Sequence, residues 1–284
     1  METTLTQNNQ YILGHSNEEL DRLIHQARFL GDLTEHVLRL AGLGPGMRVL
    51  DVGCGVGDVS FLAAHLVGPE GEVIGVDKSP EAIALASQRA TAARLNNVRF
   101  VTQNLVELTL NEPVDALIGR LVLMYFADPA AILRHLTGLL KPDGLVVFHE
   151  IDTSGSKSEP VCDLFGTTVG RIEQAFTLAG ADIRMGLKLA RVFQEAGLPR
   201  PQMMQGARVE SGPDSQAYSD VAQLTRTLLP LMERTGIATA VEVEVDTLAD
   251  RLRQEAVARD ATWVAPAFIG AWVRKTEYEN KTPG

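Results

Sequence analysis

The chain has 284 residues, 45% of them hydrophobic and 22% charged, with a formal net charge of −10. That composition suits a globular protein with a large core, and an acidic chain repels phosphate backbones, which turns expectation away from nucleic acid and toward a small-molecule partner. Its two cysteines, Cys54 and Cys162, form no CxxC and no Cys/His cluster, which argues against a disulfide framework and structural zinc, and no apolar run approaches the length of a membrane span.

Residues 16–41 read as one amphipathic helix, with Ser16 and Glu19 at capping-box spacing and Leu20, Leu23, Leu30, Val37 and Leu40 recurring at helical intervals. Gly42, Gly44, Pro45 and Gly46 end it. From Met47 to about Glu150 short apolar strands alternate with helices. The strands are 48–52, 72–76, 98–101, 114–118 and 145–149, and Ser79-Pro80 and Asp128-Pro129 carry helix-start signals. Strands apolar on both faces, separated by helices, predict a parallel sheet covered on both sides. Beyond Ile151 the rhythm breaks. Residues 152–160 read as a linker and 161–183 as helical. Leu187–Ala196 resumes the α/β pattern, with a strand near Met203–Val209; about 214–260 is helical again, and Trp263–Val273 reads as one last strand.

The expected fold is therefore α/β, a doubly wound, mostly parallel seven-stranded sheet with an N-terminal helical lid and two helical insertions, after strand 5 and between the last two strands. Its parts are a lid segment and helix at 1–41, a core at 42–151, an insertion at 152–185, core again at 186–210, an insertion at 211–261, and a last core strand and tail at 262–284. Insertions late in such a sheet lie near the carboxyl ends of the strands, where open α/β sheets bind ligands.

The chemistry concentrates in Val49-Leu-Asp-Val-Gly-Cys-Gly-Val-Gly57, where a strand runs into Gly53-x-Gly55-x-Gly57 and then a helix. Glycines let a ligand approach the backbone, and amides at a helix N-terminus hold anionic groups. Asp77, at the end of the next strand, is placed to take two ribose hydroxyls. The dinucleotide fingerprint needs a glycine at position 58, where Asp58 stands. The Asp51 and Gly53-x-Gly55-x-Gly57 pattern resembles the first motif of the class I, Rossmann-like, S-adenosylmethionine-dependent methyltransferases. Within that family the likeness is greatest to the small-molecule branch that includes the quinone-biosynthesis enzymes. Asp77-Lys78, Val101 to Leu105, Val114 to Tyr125 and Leu140-Lys-Pro-Asp-Gly144 resemble its later motifs in order.

The resemblance implies S-adenosylmethionine as cofactor, S-adenosylhomocysteine as product, and transfer of a methyl group to an O, N or C atom of a small, partly apolar metabolite. It implies that Gly53, Cys54 and Gly55 pass by the cofactor, with Asp77 at the ribose, Lys78 and Leu105 by the adenine, Asn104 accepting from the adenine amine, and Arg120 near the methionine part. Related enzymes fold an N-terminal helix over the cofactor, so Tyr11 and Gln26 are expected at the cofactor, with His15 and Tyr125 at the substrate. His149 and Glu150 are the candidate bases, although strand alternation sends neighbours to opposite faces. The competing readings are a nicotinamide-dependent oxidoreductase and a non-catalytic cofactor-binding module. A cytoplasmic location, no membrane partner, and a homodimer left open complete the expectation.

Overall fold

The computed structural model describes residues 30–275. Helix α1 covers residues 30–41 and buries Leu30, Thr34, Val37, Leu38 and Ala41, one helical face. The alternating core follows: β1 (Arg48–Val52), α2 (Asp58–Val67), β2 (Glu72–Asp77), α3 (Pro80–Ala92), β3 (Val98–Thr102), β4 (Val114–Arg120), α4 (Pro129–Thr137) and β5 (Leu140–Asp152). The helix starts form as the sequence signals. Ser79 and Asp128 accept the backbone N–H of Ala82 and Ala131, with Pro80 and Pro129 in the first helical position.

The rest of the chain contributes β6 (Lys157–Glu159), α5 (Asp163–Leu178), α6 (Met185–Glu195), β7 (Gln202–Gly206), β8 (Val209–Ser211), α7 (Ala217–Thr235), α8 (Ala240–Val243), α9 (Val245–Ala258), β9 (Thr262–Val264) and β10 (Ala267–Arg274). The main sheet has seven strands in the order β3-β2-β1-β4-β5-β10-β7. Strands β1 to β5 pair in parallel, and β10 runs antiparallel to both β5 and β7. The order reverses between β1 and β4, the switch point at which such sheets open a crevice at their carboxyl ends.

Successive strand residues feed opposite layers. Leu50, Ile74, Leu117, Val146 and Phe148 join the layer containing α4 and α6. Val49, Val73, Ile118, Leu145 and Val147 join the one containing α1 and α2. Continuing that count along β5 sends His149 toward α1 and Glu150 to the opposite face.

Helices α5, α7, α8 and α9 form a cap with its own core, including Phe165, Tyr218, Leu252 and Trp263. A second, antiparallel sheet of order β6-β9-β8 runs through it. Here the sequence reading changes. The expected linker 152–160 contains β6, whose Lys-Ser-Glu sequence gives no apolar pattern. The strand expected near Met203–Val209 is two strands in different sheets. The run Trp263–Val273 likewise divides, because Pro266 has no N–H to continue a ladder, so β9 ends at Val264 in the cap and β10 begins at Ala267 in the core.

Candidate active site

The turn after β1 needs its glycines. Gly53, Gly55 and Gly57 have φ of 63°, 52° and 92°, where a side chain is strained. A Cβ at Gly53 would stand 2.7 Å from Val122 Cγ2, and one at Gly57 2.9 Å from the rings of Phe61 and Phe100. The turn is anchored from β2: Cys54 N–H donates to Val76 O at 3.0 Å, and Gly55 N–H donates to Asp77 Oδ2 at 2.9 Å. Ser79 N–H donates to the other Asp77 oxygen at 2.9 Å. Asp58, which stands where a dinucleotide site has glycine, accepts from Arg89 Nη2 at 2.6 Å, while Arg89 Nη1 donates to Val56 O at 2.6 Å.

Beneath the turn Asp51 is buried and accepts from Ser60 Oγ at 2.5 Å. Burial pushes its carboxyl up to about 7, against the Ser60 bond and the Arg120 charge. Burial also holds the Cys54 thiol well above its usual range, with the Asp51 and Asp77 carboxylates adding to the effect. That thiol is no nucleophile.

At the ends of β4 and β5, Arg120 Nη1 donates to Thr34 Oγ1 at 3.2 Å, and Thr34 Oγ1 lies 3.2 Å from His149 Nδ1. Burial, reinforced by the Arg120 charge, lowers His149 to about 3, so its imidazole is neutral at ordinary pH. On the opposite face Glu150 Oε1 accepts from Val122 N–H at 2.9 Å and Leu123 N–H at 2.8 Å, capping the turn that follows β4. Its Oε2 is buried with no partner among the described residues. Burial raises this carboxyl to about 7 despite the amides of Leu123, Val122 and Met124.

One cavity of about 340 Å³ runs from the glycine turn to the cap. Gly53, Cys54, Gly55, Asp77, Lys78, Leu105, Arg120 and Tyr125 all line it, together with Leu30 of α1. Three sequence candidates do not. Asn104 is exposed and its Oδ1 accepts from Val106 N–H at 3.1 Å, capping a short helical turn. His149 and Glu150 lie behind the wall, so neither expected base faces the cavity, and each is held by the bonds given above. Tyr11, His15 and Gln26 lie outside the described residues. The cap wall includes Phe165, Phe176 and Leu224, whereas Met185, Leu228 and Met232 are buried in cores. Thr34, Glu173 and Trp263 escaped the sequence reading; Thr34 shows only a helical position, and its role depends on a contact 115 residues away.

The wall suits S-adenosylmethionine. Gly53 and Gly55 bring bare backbone to the wall, and both Asp77 oxygens are fixed by amides with lone pairs left to accept hydroxyls. Arg120 supplies a cation for a carboxylate on the same wall.

A family model described as a methyltransferase domain matches residues 43–197. The demethylmenaquinone methyltransferase of Bacillus cytotoxicus is 29% identical over 182 residues, which is 60% of this chain and 77% of that protein. Among solved structures, a putative methyltransferase from Bacillus halodurans superposes with a TM-score of 0.58 at 14% identity, over 86% of this chain and 98% of that one. Phosphoethanolamine N-methyltransferase 2 of Haemonchus contortus, in complex with S-adenosyl-L-methionine, superposes with a TM-score of 0.51 at 18% identity, over 87% of this chain and 53% of that one. These likenesses show the fold, and the sequence match shows the kinship. The chain belongs to the methyltransferase-domain family and is an S-adenosylmethionine-dependent methyltransferase.

Proposed function

We propose that the core half of the cavity holds S-adenosylmethionine, that the cap half holds the acceptor, and that the enzyme works chiefly by alignment, with neither His149 nor Glu150 as its base. The observation that supports this most is continuity: a single cavity joins the glycine turn to the aromatic and aliphatic wall of the cap. In this reading Asp77 accepts the ribose hydroxyls, Lys78 and Leu105 flank the adenine, and the backbone of Gly53, Cys54 and Gly55 passes alongside. Arg120 donates to the carboxylate of the methionine part, and Tyr125 stands toward the acceptor. Thr34 and neutral His149 brace Arg120 from behind, and Glu150 braces the turn that carries Val122 and Met124.

The cofactor supplies a methyl carbon on a sulfonium that leaves with the bonding electron pair. The chain then has to align the acceptor behind that carbon and exclude water. Well-oriented pairs reach effective molarities on the order of 10⁵–10⁸ M. Acting on a small molecule rather than on nucleic acid agrees with the net charge of −10.

Calorimetric titration with S-adenosylhomocysteine, beside a parallel titration with NAD, tests the division of the cavity. Binding of the first and none of the second is the expected outcome. Replacing Asp77 with Ala is expected to weaken S-adenosylhomocysteine about 10- to 100-fold, the loss of a charge-assisted pair of bonds. Unchanged affinity would sink the assignment of the core half.

A further inference from the structure

The two ends of the cavity differ in charge. Both cations of its described wall, Lys78 and Arg120, lie on the core side. The cap side presents Glu173 of α5, Glu210 of β8 and Asp220 of α7, with no Lys, Arg or His beside them in the wall. Glu210 accepts from Ser215 Oγ at 2.8 Å. The half-buried Glu173 carboxylate has neither a hydrogen bond nor an ion pair among the described residues. A half-buried carboxylate without a partner in an apolar hollow is stabilised by a cation brought beside it.

The same wall carries Phe165 and Trp263, whose rings stack with centroids 4.1 Å apart, and Tyr218 meets Trp263 edge-on at 4.8 Å. Aromatic faces attract cations. Trp263 is 3% exposed, and its indole N–H has no acceptor among the described residues. A buried donor without a partner is costly, and an oxygen on a ligand would satisfy it.

We propose that the acceptor is an amine that binds as its ammonium, on an apolar, ring-sized body that also bears an oxygen acceptor; the ammonium gives up a proton to the Glu173 carboxylate, and the freed nitrogen lone pair forms the N–C bond as the C–S bond breaks and its electron pair stays on the sulfur. The carboxylates take the ammonium, Ile172, Phe176 and Leu224 take the body, and Trp263 donates to the oxygen. This rests on the reading of the cap half as the acceptor site. It separates this chain from an enzyme whose acceptor is a neutral quinone-type ring, which the half-buried Glu173 carboxylate does not favour.

The test uses the full chain loaded with S-adenosylhomocysteine and three probes of matched size titrated by calorimetry: phenethylamine, phenylpropanol and phenylpropionate. The amine is expected to bind about tenfold or more tighter than the alcohol, with the carboxylate weakest. Glu173→Gln is expected to abolish that preference, and Glu173→Asp to keep part of it, with affinity for S-adenosylhomocysteine unchanged in both. Alcohol or carboxylate binding as tightly as the amine, or none of the three binding, would overturn the proposal and leave the cofactor reading standing. A chain that fails to bind S-adenosylhomocysteine at all would overturn the cofactor reading and the proposal with it.

Discussion

Asp77 and Glu150 are both carboxylates at strand ends, yet their surroundings differ. Asp77 is half-buried on the cavity wall with a backbone amide on each oxygen. Glu150 is fully buried, with one oxygen on two amides and the other without a partner among the described residues. Its carboxyl rises from an ordinary 4.5 to about 7, so between those values the folded chain holds a proton that the unfolded chain releases. Stability from this group therefore falls as pH climbs through that window. Glu150→Gln stays neutral throughout, so chemical denaturation is expected to show it gaining on the wild type from pH 4.5 to 7, by on the order of 3 kcal/mol; a constant difference would mean that the carboxyl titrates normally. His149 runs the other way. Its value is lowered from 6.5 to about 3, so the stability it contributes is lost as pH falls through that range, and His149→Gln should flatten acid denaturation there. The residues that line the core half of the cavity were legible because a glycine turn after a strand has few other uses. Those behind it were not. Nothing in the letters distinguishes a histidine facing a pocket from one facing Thr34 on the far side of a strand.

The elements that position the site depend on close approaches. Helix α1 lies directly on β10: a Cβ at Gly270 would come 2.5 Å from Val37 Cγ1, and Val37 is itself 1% exposed. A short, branched, buried side chain has no room to swing away, so Gly270→Ala must push the helix instead. The expected loss is about 1–3 kcal/mol. Because Thr34 rides on that helix, weaker binding of S-adenosylhomocysteine should accompany it. Thermal unfolding and calorimetry on one preparation check both, and a stable variant would place α1 farther from the sheet. Element existence was readable wherever the period was strong, as along β1 to β5 and in α5 and α7. It failed where strands were three residues long. Strands β6, β8 and β9 have too few positions to show alternation, and they exist because they pair with one another.

At the scale of the molecule, cap and sheet have separate cores. Leu252 is 0% exposed inside the cap core. Leu252→Ala is expected to lower cap stability by about 2–5 kcal/mol while affinity for S-adenosylhomocysteine stays near the wild-type value, read by near-ultraviolet circular dichroism and calorimetry. An equal loss of both would mean that cap and sheet melt as one unit. The position of β10 has a consequence in time. It is the last described strand in the chain, yet it lies between β5 and β7, and the β9 that precedes it lies between β6 and β8. During synthesis at roughly 5–20 residues per second, the first five strands can assemble while the edge of β5 waits bare and β7 has no neighbour to pair with. Both sheets close in a single late stretch of chain, so a ribosome stalled shortly before residue 262 would hold a nascent enzyme with a finished glycine turn, an open sheet edge and a cavity missing part of its wall.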